Sequence, residues 1–287
     1  MDKYYAYLLA GFIGRASYPD PLVSGDEKSY FVISADLENW YSVNTVDVNI
    51  KEGSKRARDQ HLSRDGGGNY ILAATQGYKN KDIYIANSDT INRFDLELKN
   101  ISNGDKDLLL GGNYSWAPEI IFDYKNNQYV VLYSDPEFRN SPIYAVTTKD
   151  FESFSYPFIF FDAGFTIIDA NISLMNGRYY LFYKGEDKEK YGKLYYAVSD
   201  DLTCNSNWQI YDVPISNNFK LEGPFGLKGI DNDYYLFADA FKLGESYFGL
   251  FEFSNKIDMK IVNDLNEVHH YSILKITKKE YERLMED

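Results

Sequence analysis

A single cysteine, Cys204, leaves this chain without any intramolecular disulfide. Three histidines and that one thiol form no group with zinc-ligand spacing. Gly66-Gly67-Gly68 precedes a strand-like run and does not open a helix, which excludes a phosphate-cradling loop. No serine sits on a nucleophile elbow with a histidine and an acid to serve it. Basic charge is also short. Thirty Lys and Arg stand against 43 Asp and Glu, a net charge of −13 and a pI near 4.8. That balance argues against nucleic acid and anionic membrane surfaces as partners, since both attract a basic face. No apolar run approaches the length of a membrane span. The apolar opening from Tyr4 to Ile13 lacks the basic flank and small-residue cleavage site of a secretion signal, so the expected compartment is the cytoplasm.

Tyrosine, by contrast, is plentiful. With 27 Tyr and 19 Phe, aromatics reach 17% of the chain. Such residues suit half-buried pleated strands and sugar-binding surfaces. Several open a recurring phrase, a polar turn followed by a tyrosine-led apolar strand: Asn69-Tyr70-Ile71-Leu72, Gln128-Tyr129-Val130-Val131, Arg178-Tyr179-Tyr180-Leu181 and Asp233-Tyr234-Tyr235-Leu236. The tyrosines Tyr70, Tyr129, Tyr179 and Tyr234 are spaced by 59, 50 and 55 positions. A second marker, Ser or Thr followed by an acid and an apolar stop, recurs at Ser34, Ser88, Thr148, Ser199 and, more weakly, Ser254.

Five copies of a unit of short strands divided by Gly, Asn and Asp turns read as an all-β fold, a five-bladed β-propeller filling one domain, 1–287. The first tyrosine-led strand, Tyr4-Tyr5-Ala6-Tyr7-Leu8-Leu9, has no acid-bearing strand before it, and the C-terminal segment has no tyrosine strand after it. The segment Val268-His269-His270-Tyr271-Ser272-Ile273-Leu274 is therefore expected to close the ring by completing the first blade, which removes exposed sheet edges. Thr277-Lys278-Lys279-Glu280 then reads as a capping box opening a short C-terminal helix.

Asp59, Glu119, Asp169 and Glu222 lie 10 to 12 positions before the repeat tyrosines, and His270 takes the corresponding place in the closing strand. The expectation is that these five ring one mouth of the channel at equivalent places. Carboxyls crowded there would raise one another's pKa. One then stays protonated while another stays ionised, the division of labour that glycoside hydrolysis requires. Glu222 stands in an apolar stretch with Gly223, Pro224 and Phe225, suited to a proton donor; Asp59 lies between Arg58 and Gln60, suited to a base.

Arg58-Asp59-Gln60-His61, Ser115-Trp116-Ala117-Pro118-Glu119, Ile168-Asp169-Ala170-Asn171-Ile172 and Leu221-Glu222-Gly223-Pro224 resemble, in order, the RDP, WAPE, IDA and EGP motifs of glycoside hydrolase family 43. His270-Tyr271-Ser272-Ile273 resembles that family's closing histidine strand. The resemblance spans nearly the whole chain. It implies inverting hydrolysis of arabinofuranosyl or xylosyl linkages in oligosaccharides, with Asp59 as general base, Glu222 as general acid and Asp169 as the third acid that tunes Glu222 and orients the sugar. Trp116, Glu119, Arg58 and Phe225 are the candidate substrate contacts, Arg58 being also a partner for Asp59 or Glu119, and His61 is read as structural. The resemblance implies no required cofactor, and a structural calcium held through water by His270. The chain departs from the family at Gln60, where a proline is usual. A second Asp-Pro, Asp20-Pro21, falls outside the repeat and ranks behind Asp59. Two other readings stand beside this one: a propeller that binds glycans without cleaving them, favoured by Gln60 and the aromatic content, and an interaction scaffold, which would lack an acid cluster at its axis.

Overall fold

The computed structural model describes residues 3–13, 27–77, 79–101, 112–202, 207–216, 220–240, 243–253, 257–265 and 267–286. Asp20, Cys204 and Ser254 lie outside them. Blade I holds β1 (Tyr4–Ile13), β2 (Lys28–Ser34) and β3 (Tyr41–Ser42). Blade II holds β4 (Asp47–Ile50), β5 (Arg58–Arg64), β6 (Tyr70–Thr75), β7 (Asp82–Ser88) and β8 (Arg93–Asn100). Blade III runs β9 (Trp116–Asp123), β10 (Gln128–Ser134), β11 (Ile143–Thr148) and β12 (Phe158–Phe161). Blade IV runs β13 (Ile167–Met175), β14 (Arg178–Gly185), β15 (Leu194–Ser199) and β16 (Gln209–Tyr211). Blade V runs β17 (Glu222–Lys228), β18 (Tyr234–Ala240), β19 (Glu245–Leu250) and β20 (Lys260–Ile261). The chain ends in β21 (Val268–Thr277) and helix α1 (Lys278–Met285).

β21 pairs antiparallel with β1, Leu8 opposite Leu274 and Tyr4 opposite Thr277, and closes the five-bladed propeller as the repeat predicts. The innermost strands β21, β5, β9, β13 and β17 pack in turn around the hub. The tyrosine strands β6, β10, β14 and β18 form the second layer. Their side chains alternate between two inter-blade layers, as a period of two dictates. Leu72 faces the layer between blades I and II, while its neighbours Ile71 and Ala73 face the layer between II and III. Val130 and Val131 divide in the same way between layers III–IV and II–III. The core is therefore five apolar sheets of contact between blades, and the tyrosine-led strands feed both sides.

The Ser/Thr marker is a turn with a mechanism. Ser34 Oγ accepts the N–H groups of Asp36 and Leu37 at 3.2 and 2.9 Å, and Asp36 Oδ1 accepts those of Glu38 and Asn39 at 2.9 and 2.8 Å. Thr148 and Asp150 repeat the pattern. These donors, first the Asn39 N–H, hold the Asp36 carboxyl down at about 2. The terminal helix carries its capping box: Glu280 N donates to Thr277 Oγ1, and Thr277 N donates to Glu280 Oε2. One feature goes beyond the repeat. β4 lies parallel to the outer strand β8, Asp47 opposite Arg93, and covers an edge that would otherwise invite pairing.

Candidate active site

Every innermost strand carries a bulge at the hub, where two residues face one on the second strand. The pairs are Asp59-Gln60, Ala117-Pro118, Asp169-Ala170, Gly223-Pro224 and His270-Tyr271. The first of each pair has a positive φ: 52°, 49°, 57°, 54° and 39°. That left-handed conformation suits glycine, yet only Gly223 is one. A side chain at Gly223 would meet Asp239 Oδ1 at 3.0 Å and His270 Cγ at 3.1 Å, so glycine is required there. Non-glycine residues held in this region store backbone strain of roughly 1–3 kcal/mol each, and such strain concentrates at functional sites.

The bulges correct the expected equivalence of the acids. Asp59, Asp169 and His270 are true counterparts, whereas Glu222 precedes its bulge and Glu119 follows one. Hairpins of different length blur a count made from the tyrosine, and two places on a strand amount to about 7 Å. The three counterparts converge at the hub. His270 Nδ1 lies 3.8 Å from Asp59 Oδ1 and 3.9 Å from Asp169 Oδ1. Glu222 borders them: it stands opposite Asp239 on β18 and one place before Gly223, whose Cβ position lies 3.1 Å from His270 Cγ.

Glu119 sits apart from this group as a buried strut. Its oxygens accept from Asn171 Nδ2 at 3.1 and 3.0 Å and from the Ile172 N–H at 2.8 Å, and its Oε2 lies 3.2 Å from His61 Nδ1. Blades II, III and IV are thereby tied together, with His61 structural as expected. Among the described residues Arg58 has its ion pair with Glu27, at 3.7 Å, and not with Asp59 or Glu119; its guanidinium lies 5.2 Å from the centre of the Phe12 ring. Phe225 packs against the apolar layer between blades V and I. Trp116 is half-buried at the end of β9, edge-on to Tyr114 with 4.9 Å between ring centres.

A family model described as "Probable glycosyl hydrolase domain", related to family 43, matches residues 2–282. The chain belongs to this family. An alpha-L-arabinofuranosidase of Bifidobacterium longum subsp. longum is 33% identical over 172 residues, covering 44% of this chain and 16% of the relative. The chain thus spans about a sixth of the length of that curated relative. Two solved structures share the fold: an endo-1,4-beta-xylanase of Bacteroides thetaiotaomicron (TM-score 0.60, 14% identity, 89% of this chain and 91% of that one) and an alpha-L-arabinofuranosidase of Clostridium thermocellum (TM-score 0.59, 15% identity, 90% and 91%).

The hub of this glycosyl hydrolase domain also contains residues that the sequence reading passed over. Five positions after each repeat tyrosine, the second strand reaches the hub at Thr75, Ser134, Lys184 and Asp239. Three of these hold a bulge in the next blade. Thr75 Oγ1 accepts the Ala117 N–H at 2.9 Å, Ser134 Oγ that of Asp169 at 3.1 Å, and Asp239 Oδ1 that of His270 at 3.0 Å. Asp239 Oδ2 also lies 3.0 Å from His269 Nδ1. Constant spacing from the tyrosine was the signal that could have found them. Gln60 is buried, and its amide donates to Ala57 O at 2.7 Å and Ser29 Oγ at 3.1 Å. A side chain thus ties down the bulge where the family usually places a proline ring.

Burial raises the Asp169 carboxyl above its ordinary range, with Glu222 and Asp59 adding to the rise, against the pull of His270 and Lys184. Removal from water pulls the His270 imidazole down. The carboxylates of Asp169, Asp59, Asp239 and Glu222 outweigh that effect and leave it raised. Carboxyls and an imidazole gathered at a hub closed by apolar layers are the groups with which a site donates and accepts protons.

Proposed function

We propose that this domain is an inverting glycosidase acting on arabinofuranosyl or xylosyl linkages in oligosaccharides. Asp59 activates the water, Glu222 protonates the leaving oxygen, and Asp169 orients the sugar and tunes Glu222. The observation that carries this reading is the gathering of Asp59, Asp169 and Glu222 around His270, two of the acids on strained bulges. Structural scaffolds have no need of such a group. Trp116 and Tyr114 supply an aromatic edge against which a sugar face can pack.

The chemistry draws on carboxyls of this chain and requires no cofactor. Among the described residues no group of three or more His, Cys, Asp or Glu is arranged to hold a metal directly. His270 faces two carboxylates, so a calcium here would be held by His270 through water and would serve the hub's electrostatics. Turnover is expected to survive exhaustive chelation; its loss and recovery with added calcium would assign the ion a necessary part.

Aryl arabinofuranosides and xylosides, with proton NMR of the first sugar anomer released, test the proposal. Inversion requires the opposite anomer and carboxyls about 6.5–9.5 Å apart. Glu222→Gln and Asp59→Asn should each lower kcat/KM by about 100-fold or more, the scale of general acid–base catalysis. Near wild-type rates in either variant would remove that residue's role. Sugar binding by calorimetry with no product after long incubation would make the domain a glycan-binding module.

A further inference from the structure

Lys184 is where the hub departs from its own pattern. At this place Thr75, Ser134 and Asp239 offer an oxygen to the next blade's bulge. A lysine ammonium cannot accept a hydrogen bond. The orphaned donor, the Gly223 N–H, turns to Asp169 Oδ2 at 3.2 Å. Lys184 itself is 3% exposed. Its Nζ lies 2.8 Å from Glu222 Oε2, 3.1 Å from Glu186 Oε2 and 5.1 Å from the centre of the Tyr191 ring. Burial alone would drive the proton off Lys184, but the charges of Glu222, Asp169 and Glu186 outweigh it and keep the ammonium charged.

We propose that Lys184 is the positioning residue of the catalytic acid, fixing Glu222 by one oxygen and, by withholding an acceptor, tying Asp169 to the peptide beside it. Glu222 Oε1 is then left to meet the leaving oxygen. One residue type thus organises two of the three acids, and the proposal rests on Glu222 being the proton donor. The groups facing Lys184 are Glu222 from β17, Asp169 from β13, and Glu186 and Tyr191 from the segment after β14; Glu222 also shares its field with Asp239 and His270.

The test compares Lys184→Met, Lys184→Arg and Lys184→Ser on an unactivated oligosaccharide and on a nitrophenyl glycoside. The serine variant restores the hub's usual acceptor and guards against a simple folding defect. Met and Ser are expected to lower kcat on the oligosaccharide about 100-fold, within the range of general acid catalysis. The nitrophenyl substrate, whose leaving group needs little protonation, should lose under about 10-fold, with KM nearly constant on both. The alkaline limb of the rate profile should move to higher pH as the cation disappears, and Arg should recover most of the rate. Equal losses on both substrates, or an unmoved pH profile, would overturn the proposal. Wild-type protein inert on every glycoside would instead sink the functional reading. In that case a double-mutant cycle of Lys184→Met with Glu222→Gln, read by Tm, decides the grip: additive shifts overturn it and coupled shifts sustain it.

Discussion

At the scale of single residues, strain and its supports mark the site. Asp59 and Asp169 hold left-handed backbones that an L residue adopts only when its surroundings insist. For Asp59 the described support is Gln60, whose amide binds Ala57 O and Ser29 Oγ. Gln60→Ala should therefore lower kcat about 10-fold while KM holds, since small displacements of a catalytic group are costly; steady-state kinetics beside a Tm measurement checks it. A fall in Tm with unchanged kcat would show that the amide serves stability alone. Asp59, Asp169 and Glu222 were legible because each sits in a short motif of fixed order. Lys184 and Asp239 were not, because they end strands whose apolar run reads as core. Arg58 was legible as a charge but not as the partner of Glu27, which comes from another blade.

At the scale of elements, the bulge places the candidate acids and the hairpin is the unit of legibility. Tyrosine-led strands, polar turns and Ser/Thr caps are local chemistry, so the sequence displayed them. Bulge register is set across strands and between blades, so counting from the tyrosine misplaced Glu119 and Glu222 by one or two positions. Glu119 follows from that shift: beyond the bulge its side chain meets Asn171, Ile172 and His61. Glu119→Ala should leave these buried donors unsatisfied at a cost of about 1–3 kcal/mol each, visible as a large fall in Tm by calorimetry. The capping box makes a smaller claim. Thr277→Ala should cost about 1 kcal/mol and leave activity unchanged, because α1 follows the end of β21 away from His270 and sets Leu284 into the layer between blades I and II.

At the scale of the whole molecule, ring closure and the hub's charge govern stability. Truncation before Val268 would strip β21 from β1, expose that edge and remove His270 from the hub; aggregation on light scattering is the expected result. The pH dependence has a definite sign. Folding raises the Asp169 carboxyl, so the native state holds its proton longer than the unfolded chain and stability falls as pH climbs from the ordinary Asp value through the raised one. His270, also raised, contributes stability that is complete below its ordinary value of 6.5 and lost as pH rises through the native one. Asp36 works oppositely: its contribution is present above 3.8 and lost as pH falls through about 2. Maximum stability should therefore lie on the acid side of neutrality. Asp169→Asn keeps an oxygen for the Gly223 N–H and should flatten the fall in Tm as pH climbs above the ordinary Asp range, while abolishing turnover. An unchanged slope would mean that Asp169 is ionised throughout.

The sequence by itself determined the number of blades, the layer that faces the hub and the closing role of the last strand. Each of these depends on local periodicity and on the need to bury alternate side chains and leave no open edge. Only the tertiary structure decided which acids meet, because their separation depends on bulge register and on partners drawn from neighbouring blades. A lysine under Glu222 and a carboxylate behind His270 are facts of packing between strands some 30 to 40 positions apart in the chain; the tyrosine spacing marks Lys184 and Asp239 as hub positions but does not encode the partners they meet.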